Sequence, residues 1–141
     1  MIWKQVQNLE ILNEKSKNTL IDHLGIKITE IGDDFISATM PVDHRTRQPD
    51  GLLHGGASVA LAESMGSFAG YLTLDDPQSQ AIVGIEINAN HLSAVTEGLV
   101  EAKVTAVKVG RRIQVWNILI TQKTKQVCIC RLTTMIIENR P

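Results

Sequence analysis

One carboxylate stands in unusual company. Glu63 lies within DGLLHGGASVALAESMGSFAG, positions 50–70. From Val59 to Leu72 the apolar residues Val59, Ala60, Leu61, Ala62, Met65, Phe68, Ala69, Tyr71 and Leu72 wrap most of a helix circumference. That density predicts a helix over about 54–72, buried on nearly all sides. A carboxylate there is costly unless it is paired, hydrogen-bonded or neutralised. No Lys or Arg falls between Arg47 and Lys103, so no helix neighbour can pair with it. Ser67 lies at i+4 from Glu63, on the same face, and can share a hydrogen bond or a water with it. A lone helix acid often just reaches solvent or an interface; the apolar surroundings favour a functional reading.

The helix start carries the second chemical feature. His54-Gly55-Gly56 brings a tight entry and unpaired backbone N–H groups at the positive end of the helix dipole, which suits an anion or a developing oxyanion. A Gly-Gly before a helix is mostly turn punctuation. With a buried acid two and a half turns later, it becomes an oxyanion donor and a base along one helix, a constellation for acyl transfer.

The small residues Gly56, Ala57, Ser58, Ser64, Gly66, Ser67 and Gly70 imply close packing of the helix backbone against a sheet. Strand character appears at 24–30 and 35–40, joined by a Gly32-Asp33-Asp34 turn, and Pro41 closes the second strand. It returns at 81–92, 98–109, 113–121 and 127–137. Positions 8–22 suggest a short helix and a lid-like segment. The order ββ-α-ββββ makes an α+β fold with one long helix against an antiparallel sheet.

At 141 residues the chain fits a single domain, 1–141, with length for a sizeable core. Composition is ordinary for a globular protein, with a net charge of −1 and few aromatics, which gives no reason to expect nucleic-acid binding. No apolar run approaches the ~20 residues of a bilayer span. The N-terminus lacks a signal-peptide pattern, so a cytoplasmic protein that does not bind membranes is expected. Cys128 and Cys130 alternate on a probable strand and read as small apolar residues in a reducing compartment, neither a routine disulfide nor a zinc site. No metal is expected.

Six blocks then carry a resemblance: MIWK at the start, HLGI at 23–26, MPVDHRTRQP at 40–49, GLLHGGASVALAES at 51–64, GIEINANH at 84–91 and RLTT at 131–134. In this order they resemble the hot-dog-fold acyl-CoA thioesterases, in the branch with a catalytic Glu on the central helix. Within it the chain is similar to a narrow bacterial group that hydrolyses aromatic acyl-CoA thioesters. Its members act on 1,4-dihydroxy-2-naphthoyl-CoA in menaquinone synthesis or proofread enterobactin synthesis. The first of these activities is the expected one, with no cofactor beyond the coenzyme A of the substrate.

The resemblance implies roles for particular residues. Glu63 would be the nucleophile or the general base for water, with Ser67 positioning it. The Gly55 N–H would hold the oxyanion, while Gln48 and His54 would orient the carbonyl or the attacking group. Gly84 and the run His91-Leu92-Ser93-Ala94 would lie along the bound acyl-CoA; by itself His91 is more often a structural histidine. The turn Lys108-Val109-Gly110-Arg111-Arg112, with Ile113 after it, would hold the nucleotide end, although a solvated hairpin turn is its plain reading. Phe68 and Asp50 would line the acyl pocket. Relatives usually carry an aromatic residue at position 50 and a basic one at position 93, where this chain has Asp50 and Ser93. Arg45 and Arg47 read as surface ion pairs or phosphate contacts. The family builds its site between two subunits, which implies a dimer and, by pairing of dimers, a homotetramer.

Two other readings remain in play. Hydratases and dehydratases share this fold and set a His against the acid, a role His54 keeps available. A non-catalytic acyl-CoA binding module would keep the basic turn and tolerate loss of Glu63.

Overall fold

The computed structural model describes residues 1–138. Two short helices, α1 (Leu9–Lys15) and α2 (Leu20–His23), precede the hairpin β1 (Lys27–Ile31) and β2 (Phe35–Pro41). The long helix α3 (Gly55–Leu72) follows, then β3 (Gln80–His91), β4 (Leu99–Val109), β5 (Ile113–Gln122) and β6 (Lys125–Glu138). The strands form one antiparallel sheet in the order β1-β2-β4-β5-β6-β3, wrapped on α3. This is the expected layering. The first strand starts later than its alternation suggested. The amide of Leu24 closes α2 on the Leu20 carbonyl, and Gly25 at φ +70° turns the chain before pairing begins.

Period-two patterning builds the core. Ile36, Ala38 and Met40 of β2, Val100, Ala102 and Val104 of β4, Trp116, Ile118 and Ile120 of β5, and Leu132 of β6 are all buried, and face α3. Cys128 and Cys130 belong to the same row, with their sulfurs 3.5 Å apart. Burial pushes both thiols up, Cys130 to about 12, so they pack as small apolar groups.

Helix α3 approaches the sheet through glycine. A Cβ at Gly66 would fall 2.5 Å from Leu132 Cδ2, and one at Gly70 would fall 2.8 Å from Gln114 Oε1. At its C-terminal end, Gln114 Nε2 donates to Thr73 Oγ1 (2.7 Å), Thr73 Oγ1 to the Gly70 carbonyl (2.7 Å), and Thr134 Oγ1 to Gln114 Oε1 (3.2 Å). All three side chains are buried, so the network satisfies its members and pins α3 to β5 and β6. The amides of Lys4 and Gln5 donate to the Leu72 carbonyl, and Trp3 stacks on Trp116.

One expectation fails here. The helix is not buried on all sides. Ala57, Ser58, Leu61, Ala62, Met65, Gly66, Ala69, Gly70 and Leu72 form the buried face, while Val59, Ala60, Glu63, Ser64, Ser67, Phe68 and Tyr71 form a half-buried stripe. The sheet of one chain covers only part of the circumference, so the remaining apolar side chains stay half open.

Candidate active site

Glu63, Ser67, Phe68 and Tyr71 recur at helical spacing along that stripe and line a cavity of about 550 Å³. Its wall is completed by Lys15 of α1, Ile21 of α2 and Ala81 and Ile82 of β3. Glu63 is half-buried rather than enclosed. Neither it nor Ser67 has a hydrogen-bond or ionic partner among the described residues, so the hydrogen bond expected between them is not formed. The carboxylate lies against β3, where a Cβ at Gly84 would fall 2.8 Å from Glu63 Oε1. Gly84 therefore leaves room for the acid. A carboxylate with free lone pairs, beside a hydroxyl and an aromatic ring, can accept a proton or attack a carbonyl carbon.

The other end of α3 is built differently. His54 is the N-cap, and its Nδ1 accepts from the Gly56 N–H at 2.7 Å. The amides of Ala57 and Ser58 donate to the His54 carbonyl. Of the four first-turn amides, only that of Gly55 is left without a partner among the described residues. It opens on a second cavity, about 360 Å³, lined by Gln48, Leu52, Leu53, Gly55, Ser58, His91, Leu92, Ser93, Ala94 and Val127. The His91 ring packs against Gly55, with Nε2 2.7 Å from where a Cβ would stand.

The loop between β2 and α3 holds Gln48 in place through backbone bonds. His54 N donates to the Thr46 carbonyl (2.8 Å), Leu53 N to Val95 O (2.7 Å) and Gln48 N to Leu52 O (2.8 Å). Buried Thr46 anchors the loop: its hydroxyl donates to Pro41 O and accepts from the Asp43 amide. Gln48 Oε1 accepts from the Asp50 amide, which leaves the Gln48 NH₂ as the side chain's donor. Asp50 itself is exposed and lines neither of these two cavities of the single chain. Its backbone orients Gln48 instead. Arg45 is tied to Asp43, bidentate at its closest contact of 2.7 Å, and holds that carboxyl at about 2. Arg47 donates twice to the Thr96 carbonyl. Both arginines brace the loop.

A third cavity, about 560 Å³, lies on the basic turn, lined by Lys108, Gly110, Arg111, Arg112 and Ile113. None of the three cations is ion-paired among the described residues. Val109 is exposed on the turn and does not line this cavity. Ile113 pairs with Met135 and Met135 with Val83, the residue before Gly84. The turn is thus two strands, about 10 Å, from the Glu63 side of the sheet.

Apart from the basic turn with its own cavity, the structure brings the expected residues into two groups and keeps those groups apart. Gln48, Gly55 and the 91–94 run share one cavity, Glu63, Ser67 and Phe68 another, and no lining residue is common to both. Gly55 and Glu63 are eight residues apart, about 12 Å along the axis. A thioester oxygen on the Gly55 amide therefore cannot have its carbon beside Glu63 of the same chain. Sequence reasoning did not find Lys15, Tyr71's partner in the first cavity, nor Lys125, whose Nζ donates to Ala94 O at 2.7 Å beside Ser93. Both arrive from distant elements that leave no local pattern.

The family model for the thioesterase superfamily matches residues 50–129. The chain is 51% identical over 137 residues to the proofreading thioesterase EntH of Cronobacter turicensis, covering 96% of this chain and 98% of that protein. It is 49% identical over 138 residues to the 1,4-dihydroxy-2-naphthoyl-CoA hydrolase of Escherichia coli, covering 97% and 100%. A crystal structure of a thioesterase from Haemophilus influenzae superposes with a TM-score of 0.94 at 52% identity, covering 98% of this chain and 96% of that one.

Proposed function

The chain belongs to the thioesterase superfamily, and on that premise we propose that it hydrolyses an aromatic acyl-CoA of the 1,4-dihydroxy-2-naphthoyl type at a site shared by two copies. The observation that carries this reading is the split described above. One end of α3 presents a single free amide beside a donor amide side chain, and the other presents an unpartnered carboxylate. A two-fold relation between two copies sets the Gly55 end of one helix opposite the Glu63 stripe of its partner. β3 supports such a pairing: it is an edge strand with Ile85 half exposed. Exposed Val107 and Ile129 offer apolar area for pairing two dimers into a tetramer.

In the completed site the thioester oxygen accepts from the Gly55 N–H and the Gln48 NH₂. Glu63 either takes a proton from water as it attacks the carbonyl carbon, or attacks that carbon to give an anhydride that water then opens. Both routes break the C–S bond and release coenzyme A as its thiol, and neither needs a metal or redox cofactor. Ser67 orients the carboxylate or the water. The free cations at 108–112 suit the nucleotide phosphates.

The likeness to a proofreading thioesterase favours a second reading, the same chemistry on a broader set of aryl and acyl groups. Hydration, which the free Nε2 of His54 keeps available, would release no thiol. Thiol release from 1,4-dihydroxy-2-naphthoyl-CoA, benzoyl-CoA and an aliphatic acyl-CoA tests these readings. Fast release from the naphthoyl substrate alone supports the first, comparable rates on all three the second, and no release overturns both. Light scattering showing an active monomer would sink the shared site.

A further inference from the structure

The first turns of α3 hold a hydroxyl that catalysis as described above does not use. Seven polar side chains are buried among the described residues. Five of them are spent inside the chain. Ser16 Oγ donates to the Leu12 carbonyl (3.1 Å), Thr46 braces its loop, and Thr73, Gln114 and Thr134 form the network at the far end of α3. The hydroxyls of Ser37 and Ser58 have no partner among the described residues. Ser37 lines none of the three cavities described above. Ser58, only 2% exposed, lines the cavity of Gly55. It follows Gly55 by three residues, so it shares that face of the helix about 4.5 Å further along the axis. Helical side chains tilt toward the N-terminus, which carries Ser58 Oγ back toward the free amide. A helical serine often returns its proton to the carbonyl one turn back, as Ser16 does. Here that carbonyl, His54 O, already takes the amides of Ala57 and Ser58. No carboxylate lines this cavity.

We infer that the Ser58 hydroxyl is a further donor to the thioester oxygen, beside the Gly55 N–H and the Gln48 NH₂. This rests on the thioesterase reading and deepens it. The proton stays on Ser58 Oγ throughout. A neutral carbonyl makes an ordinary hydrogen bond there and the tetrahedral oxyanion a charge-assisted one, so the donor favours the transition state over the bound substrate. Burial keeps the hydroxyl clear of bulk water, and a rotor of one bond needs little reorganisation as charge develops. An unpartnered buried hydroxyl does nothing for the folded chain, which leaves the substrate as its acceptor.

The test is thiol release by wild type, Ser58→Ala and Ser37→Ala, with Tm measured alongside. The substrate is whichever of the three acyl-CoA thioesters above wild type hydrolyses fastest. Ser58→Ala removes one oxygen atom and should leave Tm unchanged or raised. Its kcat should fall about 10²-fold with KM within about twofold, the signature of a donor used in the transition state. Ser37→Ala deletes the other unpartnered buried hydroxyl and should keep kcat. An unchanged kcat in Ser58→Ala would overturn the inference. So would a raised KM with kcat spared, the mark of a contact to the coenzyme chain, or an equal fall in both variants, the mark of general loosening. Each of these defeats this inference alone, whereas no release by wild type from any substrate defeats the thioesterase reading with it.

Discussion

The two ends of α3 differ in how their polar groups are used. At the N-terminal end His54 Nδ1, the His54 carbonyl and the Thr46 carbonyl are all engaged, and three of the four first-turn amides are satisfied. Further along, the Glu63 carboxylate and the Ser67 hydroxyl have no partner among the described residues. The first end is a fixed dipole, assembled during folding and needing no reorganisation when charge develops on a substrate. The second holds reactive groups in reserve, since an acid satisfied by a salt bridge would be a poor base or nucleophile. One end is rigid and one is free, and a thioester needs both within a few ångströms of one carbon.

Removing the free end should have the largest effect. Glu63→Ala is expected to lower kcat about 10³-fold in a thiol-release assay. It should leave Tm unchanged or raised, because a half-buried, unpaired carboxylate stabilises nothing. A large fall in Tm would show that Glu63 is structural after all and erase the contrast. The rigid end is probed by comparing Gly55→Pro with Gly55→Ala. Proline is tolerated at the first helical position, and His54, at φ −68° and ψ 130°, already has the conformation that precedes one. Both variants press on His91, yet only proline deletes the N–H. Gly55→Pro should therefore be about 10²-fold slower than Gly55→Ala; equal rates would remove Gly55 from the oxyanion site.

Smaller effects sharpen the same contrast. Ser67→Ala should cost about tenfold in kcat, the worth of one neutral hydrogen bond. Gly66→Ala sits on the buried face of the same helix, against Leu132. It should cost about 1–3 kcal/mol in urea denaturation, with kcat spared where the protein stays folded. The smallest effect belongs to the loop that carries Gln48. Arg45 holds the Asp43 carboxyl at about 2 in the folded chain, against 3.8 ordinarily. A depressed carboxyl contributes stability above its ordinary range, lost as pH falls from about 4 through 2. The pair is exposed, so the contribution is slight, and Asp43→Asn should flatten the acid limb of a pH–stability profile only a little.

Much of this was legible in the chain. Apolar spacing over 59–72 with the Gly55-Gly56 entry placed α3 within a residue, and period-two runs placed five of the six strands within two residues at either end. Both signals arise from the local periodicity of buried side chains. The small residues at 66 and 70 announced a close helix–sheet approach, and the structure shows Leu132 and Gln114 there. Other features were not legible. The start of β1 was misread because Leu24 and Ile26 are buried for the sake of α2 and its turn, not as members of a strand. Only the family resemblance spoke for Asp50, and no local pattern showed that the Gly51 turn at φ +82° would leave its side chain exposed. Lys15 stands 48 residues before Glu63, and no spacing rule connects them.

The division has a physical basis. Residue type and period, which any segment carries within itself, determined by themselves the helix, the strands, the one acid in apolar company and the capped glycine start. Which amide stayed free, which side chains met in each cavity, and how far Gly55 stands from Glu63 were decided only by the tertiary structure. These depend on hydrogen bonds and contacts between elements far apart in sequence, and on the fact that one sheet covers only part of one helix.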